Sequence, residues 1–250
     1  MHCVTSEPQH NCVILRLESG ETNVLNTEVL KALKLALDKA ATKDLGIMLS
    51  GGDKFFSNGV DLSWALTRSP AQIREMFLLL GDLILSIMES PVPIVGAIKG
   101  HAIGGAMAIL MACDYRYAAT GRVLLGKPEI LLGVPNPFYG DQLLRFVAGD
   151  FVASDLIYTG KLITGEQAHS LNIIHAVDSK DCIEDLAWQQ LRVLRALAPT
   201  AFSESKQMRS AQFCATMRAQ MSTRVARQVE IWNSDDAQTQ LHEAAARLKR

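Results

Sequence analysis

The sequence has no excess of charge of either sign, few aromatic side chains and no cysteine motif. Its 250 residues include 25 basic and 26 acidic side chains, for a formal net charge of -1. No broad positive field is therefore present to attract a nucleic acid. The five cysteines form no CxxC pair and no Cys/His cluster with zinc-ligand spacing. We expect free thiols used as small apolar residues, no metal site and no nucleic-acid partner.

Long apolar runs and the common nucleotide-binding loops are missing as well. No uncharged apolar stretch reaches the roughly 18 residues that a membrane span needs, and the N-terminus lacks the pattern of a signal peptide. Neither G-x-G-x-x-G nor G-x-x-x-x-G-K-[ST] occurs, and the G-x-S-x-G elbow of many serine hydrolases is absent too. These absences predict a cytoplasmic protein that does not enter a membrane.

What the sequence does contain is material for an aliphatic core. Hydrophobic residues make up 48% of the chain and aromatic residues only 6%. Short apolar runs at 12–17, 45–49 and 93–98 predict buried strands, and they alternate with helical patterns. This alternation indicates an α/β fold with parallel strands. The end of the chain shows helical patterns only, which predicts a core over residues 1–198 and a helical region over 199–250.

Two glycine-containing segments between the predicted strands could place backbone N–H groups in a cleft. The first, FSNGVDL at 56–62, contains a glycine that permits unusual backbone angles. The second, at 100–108, places two glycines at the start of a helix, where N–H groups lack intrahelical acceptors. Taken alone, the first could be an ordinary turn and the second a place of tight helix–strand packing.

A third segment, GKPEILLGVP at 126–135, holds a single carboxylate, Glu129, among apolar neighbours. A carboxylate in partly apolar surroundings is a competent proton acceptor near neutral pH. A lone glutamate is also compatible with an ordinary solvated position. The segment therefore predicts proton transfer only in combination with the other two.

Taken together and in this order, the three segments resemble the crotonase, or enoyl-CoA hydratase/isomerase, superfamily. The stretch at 56–62 is similar to that family's F-S-x-G-x-D-L, the stretch at 100–114 to its double-glycine segment ending in C-D, and the stretch at 128–133 to its P-E-x-x-L-G. The resemblance spans at least residues 13–178. It implies a crotonase-like β-β-α spiral core, completed by a C-terminal helical region that mediates trimer formation.

The resemblance also implies roles for particular residues. The N–H groups of Val60 and Gly105 would form an oxyanion hole for an acyl-CoA thioester, and the main chain of Asn58, Val60 and Leu62 would hold the adenine end of coenzyme A. Two preorganised donors stabilise an enolate, and loss of one typically costs about 3–4 kcal/mol. No separate cofactor is expected, since coenzyme A is part of the substrate. The expected partners are an acyl-CoA and further copies of the chain, as a homotrimer or a dimer of trimers.

The number of glutamates points to one reaction within the family. Hydratases of the family use two, but the first of those positions, three residues after Gly105, is Ala108 here, and only Glu129 stands at the second. A single carboxylate can move a proton between two carbons of one substrate, a pattern that resembles Δ3,Δ2-enoyl-CoA isomerases. Phe138 and Tyr139 lie in a stretch similar to the isomerases' I-x-x-P-F-W. They are predicted to line the acyl pocket with Ala108 and to exclude water, although core packing would explain the two aromatic rings as well.

The hypothesis is therefore an isomerase in which Glu129 moves a proton from C2 to C4 of a 3-enoyl-CoA. Two alternatives stay open. Hydration, decarboxylation or carbon–carbon cleavage of a CoA or carrier-protein thioester would use the same oxyanion hole. A non-catalytic acyl-CoA binder would have Glu129 as a merely structural residue.

Overall fold

Strands alternate with helices along most of the chain, and helices alone form its C-terminal part. The structure is a computed structural model that describes residues 3–248. Its strands are β1 (Val4–Gln9), β2 (Cys12–Leu17), β3 (Gly46–Ser50), β4 (Phe55–Ser57), β5 (Ile94–Ile98), β6 (His101–Ile103), β7 (Tyr115–Ala119), β8 (Leu124–Gly126), β9 (Leu162–Thr164) and β10 (Ala176–Asp178).

The helices of residues 3–248 include three α-helices of fewer than ten residues and two short 3-10 turns. The α-helices are α1 (Thr27–Thr42), α2 (Leu62–Ala65), α3 (Pro70–Met88), α4 (Gly105–Met111), α5 (Phe138–Thr159), α6 (Gly165–Ser170), α7 (Ile183–Arg195), α8 (Pro199–Trp232) and α9 (Asp235–Leu248). The 3-10 helices span Pro128–Leu132 and Lys180–Cys182.

The larger sheet contains most of the core. Its strand order is β1-β2-β3-β5-β7-β10, and β1 pairs antiparallel with β2 while the other neighbours run parallel. Every residue of β3 and β5 is buried, as expected for parallel strands covered on both faces. The predicted α/β fold with parallel strands is confirmed.

A second, smaller sheet has the strand order β4-β6-β8-β9. The strands β4, β6 and β8 run parallel, and β9 closes the sheet antiparallel to β8. The sequence predicted loops where β4 and β6 lie, and it did not predict β1 or β9. Strands of three residues are too short to show an alternating pattern.

Side-chain hydrogen bonds cap the starts of two long helices. The Asn26 side chain accepts the Val29 N–H and caps α1, and Ser69 and Gln72 form a reciprocal capping box at the start of α3. Helix α8 begins at Pro199, the first residue of the predicted helical region, and packs along α3. The division of the chain into two domains stays a prediction.

Two expectations based on missing sequence features concern membrane spans and thiols. Within residues 3–248, no helix is both long and apolar enough to span a bilayer. Cys12, Cys113 and Cys214 are buried, and burial raises the pKa of the Cys113 thiol to about 12. These three residues serve as small apolar side chains, as the sequence predicted.

An ion-pair cluster connects α7 to one edge of the larger sheet. Glu184, at the start of α7, accepts hydrogen bonds from Arg16 of β2 and from Ser50 at the end of β3, and it pairs with Lys99 at 3.2 Å. Partial burial by itself raises the pKa of Glu184. The hydrogen bonds from Arg16 and Ser50 have the opposite and larger combined effect, so that the pKa falls from its ordinary value of 4.5 to about 2. The ionised carboxylate therefore stabilises the fold.

We expect this carboxylate to make the free energy of unfolding pH-dependent. Its pKa is lower in the folded chain, so its contribution is fully present above pH 4.5 and is lost as the pH falls toward 2. Between pH 7 and pH 3 the loss is on the order of 2 kcal/mol. Urea unfolding at the two pH values should show a smaller drop for Glu184→Gln than for the wild type. Asp38→Asn, which removes an exposed pair with Lys34, should leave the drop unchanged, and an equal drop in all three proteins would contradict the argument.

Candidate active site

The three segments singled out in the sequence lie at one edge of the smaller sheet. Val60 follows the end of β4, Gly105 follows the end of β6, and Glu129 follows the end of β8. These three strands are parallel neighbours, so their carboxyl ends meet at the same edge. Ligands of α/β proteins characteristically bind at such an edge.

The first loop holds the Val60 N–H beside the start of α4. Gly59 has φ +78°, and a Cβ at this position would lie 2.7 Å from the Ile103 carbonyl oxygen and 3.6 Å from Gly105 N. Its N–H donates to Ser57 Oγ at 3.1 Å, while its carbonyl accepts from Leu25. Glycine is required here by both the backbone angle and the close approach of the second loop.

The second loop presents the first N–H of α4. Gly104 has φ 58° and ψ -119°, a conformation open to glycine, and α4 begins at the next residue. Among the hydrogen bonds of residues 3–248, none uses the N–H of Val60 or Gly105 as donor. Two adjacent, unoccupied backbone donors are the arrangement that an oxyanion hole needs.

The third loop brings a carboxylate to the same place. Glu129 lies in the 3-10 helix that follows β8, and its side chain is 13% exposed. Its Oε1 accepts a hydrogen bond from Lys127 Nζ at 2.9 Å, and a Cβ on Gly104 would lie 3.5 Å from the same oxygen. Its Oε2 is buried and has no hydrogen-bond partner in the described part of the chain.

Lys127 is a polar residue of the site that sequence reasoning missed. Its side chain is completely buried, and Nζ donates to the Gly104 carbonyl at 3.1 Å as well as to Glu129. Lysine is rarely buried unless it is paired, and the sequence alone did not indicate the buried partners of Lys127. The signal in the sequence was its position two residues before Glu129 in an otherwise apolar segment.

These groups surround a cavity of about 330 Å³. Its walls are mainly apolar, and its charged lining residues within residues 3–248 are Glu129 and Arg247. The C-terminal helices contribute Gln228, Trp232, Ala244 and Arg247, a contribution that the sequence did not predict. The other lining residues are Asn58, Val60, Leu62, Phe77, Leu80, Ile103, Gly104, Gly105, Pro128, Leu132, Val134 and Pro137.

Five of the predicted site residues lie at the cavity. Glu129, Val60, Gly105, Asn58 and Leu62 all line the cavity. The Asn58 N–H already donates to the Thr22 carbonyl at 2.9 Å. The assigned roles of these residues in catalysis and in holding coenzyme A stay predictions.

The three predicted acyl-pocket residues do not line this cavity. Ala108 is fully buried within α4, and Tyr139 is buried in α5. Burial, and after it the charge of Glu129, raise the pKa of the Tyr139 hydroxyl well above its ordinary value. Phe138 is half-buried with the Arg224 guanidinium 5.4 Å from its ring centre. The prediction that they line the pocket is wrong for this cavity, because α5 begins at Phe138 and packs both rings outside the lining.

Residues 3–248 contain no group of three His, Cys, Asp or Glu side chains placed to hold a metal ion.

The fold and the three-loop site define a family. The chain belongs to the enoyl-CoA hydratase/isomerase family, whose sequence profile matches residues 7–249. This confirms the predicted superfamily, and the architecture agrees with the crotonase fold of its solved members. Binding of an acyl-CoA fits membership of this family.

Among individual proteins, relatives with different reactions are similar to this chain. The peroxisomal bifunctional enzyme of Homo sapiens is 32% identical over 70% of the chain, but the match covers only 24% of that enzyme. The crotonyl-CoA hydratase of Syntrophomonas wolfei is 31% identical over 62% of the chain and 60% of the hydratase. The chain thus spans less than two thirds of these two relatives.

A solved structure is similar over nearly the whole chain. The human mitochondrial delta3-delta2-enoyl-CoA isomerase superposes with a TM-score of 0.95 at 25% identity, over 99% of this chain and 98% of that one. Hydratases and an isomerase are therefore both among the relatives, and the chain's own site has to distinguish the two reactions.

Proposed function

We propose that the protein isomerises 3-enoyl-CoA thioesters to 2-enoyl-CoA thioesters. The observation that carries the proposal is the number of carboxylates: among the described residues, Glu129 is the only Asp or Glu that lines the cavity. Adding water across a double bond requires one group to activate the water and another to protonate the carbon. Moving a proton from one carbon to another requires a single group that works first as base and then as acid.

The geometry supports a sequence of two proton transfers. The Glu129 carboxylate accepts the C2 proton, and the C2–H electron pair moves into the C1–C2 bond as the thioester carbonyl becomes an enolate. The N–H groups of Val60 and Gly105 stabilise that oxygen. The same carboxyl group then donates the proton to C4, where the electron pair of the 3,4 double bond forms the new C–H bond. The C1–C2 pair of the enolate becomes the 2,3 double bond, and an oxygen pair restores the carbonyl.

The apolar lining favours this chemistry over hydration. Leu132, Val134 and Trp232 line the cavity together with Glu129. Within the described part of the chain, such walls offer no second carboxylate to activate a water molecule for attack. They also strengthen the electrostatic effect of the N–H groups on the enolate, because charges interact more strongly away from water.

The proposal is tested by comparing substrates on the purified protein. With a 3-enoyl-CoA, the absorbance of the conjugated thioester should rise, and the kcat/KM for this reaction should exceed that for hydration of a 2-enoyl-CoA by about 100-fold or more. A substrate deuterated at C2 should deliver part of its label to C4. Faster hydration, turnover of a malonyl-type thioester instead, or acyl-CoA binding without C2 exchange in heavy water would each overturn the proposal.

Two expectations from the sequence are part of the proposal, namely a cytoplasmic location and assembly as a homotrimer or a dimer of trimers. Phe151 and Tyr158 on α5 are strongly exposed in the single chain, and large exposed apolar side chains are typical of contact surfaces. Light scattering should give a mass of three or six times 27.4 kDa. A monomeric mass would contradict the assembly.

A further inference from the structure

Lys127 is held inside the protein by features that have no use in an ordinary surface lysine. Its side chain is fully buried, and a Cβ on Gly140 of α5 would lie 2.7 Å from Lys127 Cε and 2.9 Å from Nζ. Glycine at position 140 therefore leaves the space in which the lysine head lies. An ammonium group in such a place is costly unless it is paired and hydrogen-bonded.

The two hydrogen bonds of Lys127 connect it to the predicted base and to the peptide group of the predicted oxyanion hole. One goes to Glu129 Oε1 at 2.9 Å, and the other goes to the Gly104 carbonyl at 3.1 Å. That carbonyl belongs to the same peptide group as the Gly105 N–H. A cation at the oxygen of a peptide draws electron density from it, so that its N–H becomes a stronger donor.

We propose that Lys127 is a positioning residue that couples the base to the oxyanion hole. It holds the Glu129 carboxylate in place through Oε1, and it polarises the Gly104–Gly105 peptide toward the thioester oxygen. This inference rests on the proposed roles of Glu129 and Gly105. It assigns a part in the reaction to Lys127, to which the family resemblance gave no role.

The movement of charge during the reaction explains why both contacts matter. When Glu129 takes the C2 proton, the negative charge leaves its carboxylate and appears on the thioester oxygen. An ammonium that touched only Glu129 would favour the ionised carboxylate and so oppose this step. Through the Gly104 carbonyl, the charge of Lys127 acts on the enolate as well, and its own proton stays in place throughout.

The fold offers a second buried lysine as a matched control. Lys206 on α8 is buried, pairs with Asp114 at 2.8 Å and also donates to the Val92 carbonyl at 3.4 Å. Like Lys127, it contacts one carboxylate and one carbonyl oxygen, but neither Asp114 nor Val92 lines the cavity, whereas Glu129 and Gly104 do. Lys206→Met therefore reproduces the structural cost of losing a buried ion pair without touching the site.

The first measurement separates kcat from KM for a 3-enoyl-CoA. Lys127→Met should lower kcat about 10- to 100-fold, somewhat less than loss of a whole oxyanion donor, and should change KM by less than about threefold. Lys206→Met should keep both constants near the wild-type values. Equal losses of kcat in the two variants would mean that Lys127 is merely structural and would overturn the proposal.

The second measurement does not depend on which reaction the protein catalyses. The infrared stretch of a 13C-labelled thioester carbonyl is recorded for bound butyryl-CoA, which has no double bond to move. The stretch should lie at lower frequency in the wild type than in Lys127→Met, and the same difference should appear between Glu129→Gln and the Glu129→Gln/Lys127→Met double variant. Lys127→Gln, which keeps a neutral donor, should give an intermediate value and serves if the Met variant does not fold.

The outcomes distinguish this inference from the proposed function. An unchanged carbonyl stretch on removal of Lys127 overturns the coupling, whatever reaction the protein catalyses. A stretch that depends on Lys127 in a protein that does not isomerise 3-enoyl-CoA supports the coupling and overturns the isomerase assignment.

Discussion

Glu129→Gln is expected to lower kcat for isomerisation roughly 10³- to 10⁴-fold and to leave the KM for the acyl-CoA nearly unchanged. Glutamine has nearly the size of glutamate but cannot accept the C2 proton. The thioester would still bind, because the N–H groups of Val60 and Gly105 belong to the backbone of other loops. The rise of conjugated thioester measures kcat, and exchange of the C2 hydrogen in heavy water measures the first proton transfer directly.

The same substitution leaves the buried Lys127 without its carboxylate. Breaking a buried pair by removing one partner is costly, so we expect the free energy of unfolding to fall by about 3 kcal/mol. Circular dichroism at the assay temperature must therefore show that Glu129→Gln is folded. Glu75→Gln, which removes an exposed pair with Lys31, is the control for charge alone. A folded Glu129→Gln protein with wild-type C2 exchange would exclude Glu129 as the base.

Gly59→Ala is expected to lower kcat/KM at least about 100-fold, although Gly59 has no side chain to contribute. The new Cβ would lie 2.7 Å from the Ile103 carbonyl oxygen, at a backbone φ of +78°. The overlap forces the loop after β4 away from the loop after β6, and these loops carry the N–H groups of Val60 and Gly105, the two donors of the proposed oxyanion hole. A displacement of about 1 Å at such a site can cost a factor on the order of 100.

Gly121→Ala separates this overlap from the cost of the backbone angle. Gly121 has φ +84°, but a Cβ there meets nothing within 4 Å. It should lower the free energy of unfolding by about 1 kcal/mol, the cost of a left-handed alanine, and leave the assay unchanged. If Gly59→Ala behaved like Gly121→Ala in the thioester assay, the close approach of the two loops would have no part in catalysis.

The sequence predicted the larger sheet well and the smaller one poorly. The apolar runs at 45–49 and 93–98 became the fully buried strands β3 and β5, since a strand buried on both faces needs a continuous apolar run. The strands β4 and β6 consist of three residues each and lie within glycine-containing segments. Tertiary pairing, rather than local pattern, makes these segments strands.

The residues of the candidate site could be predicted where they lie within a recognisable sequence motif. Val60, Gly105 and Glu129 lie in recognisable segments, and all three line the cavity. Lys127 was not predicted because its burial depends on the space beside Gly140, which belongs to another element. Tyr139 was predicted in the pocket because of its motif, but the start of α5 buries the ring instead. The burial of Lys127 and that of Tyr139 both depend on contacts between different elements of the fold, which a local sequence pattern does not show.

The alignment of the three loops on parallel strands has an evolutionary consequence. Neighbouring strands lie about 4.8 Å apart, and Gly59 lets the β4 and β6 loops approach each other as closely as their strands do. No substitution other than proline can remove a backbone N–H. On the proposed roles, a descendant of this protein could exchange Glu129 and acquire another reaction while the N–H groups of Val60 and Gly105 stay in place. Recognition of the substrate and the choice of reaction would then be inherited as separable traits.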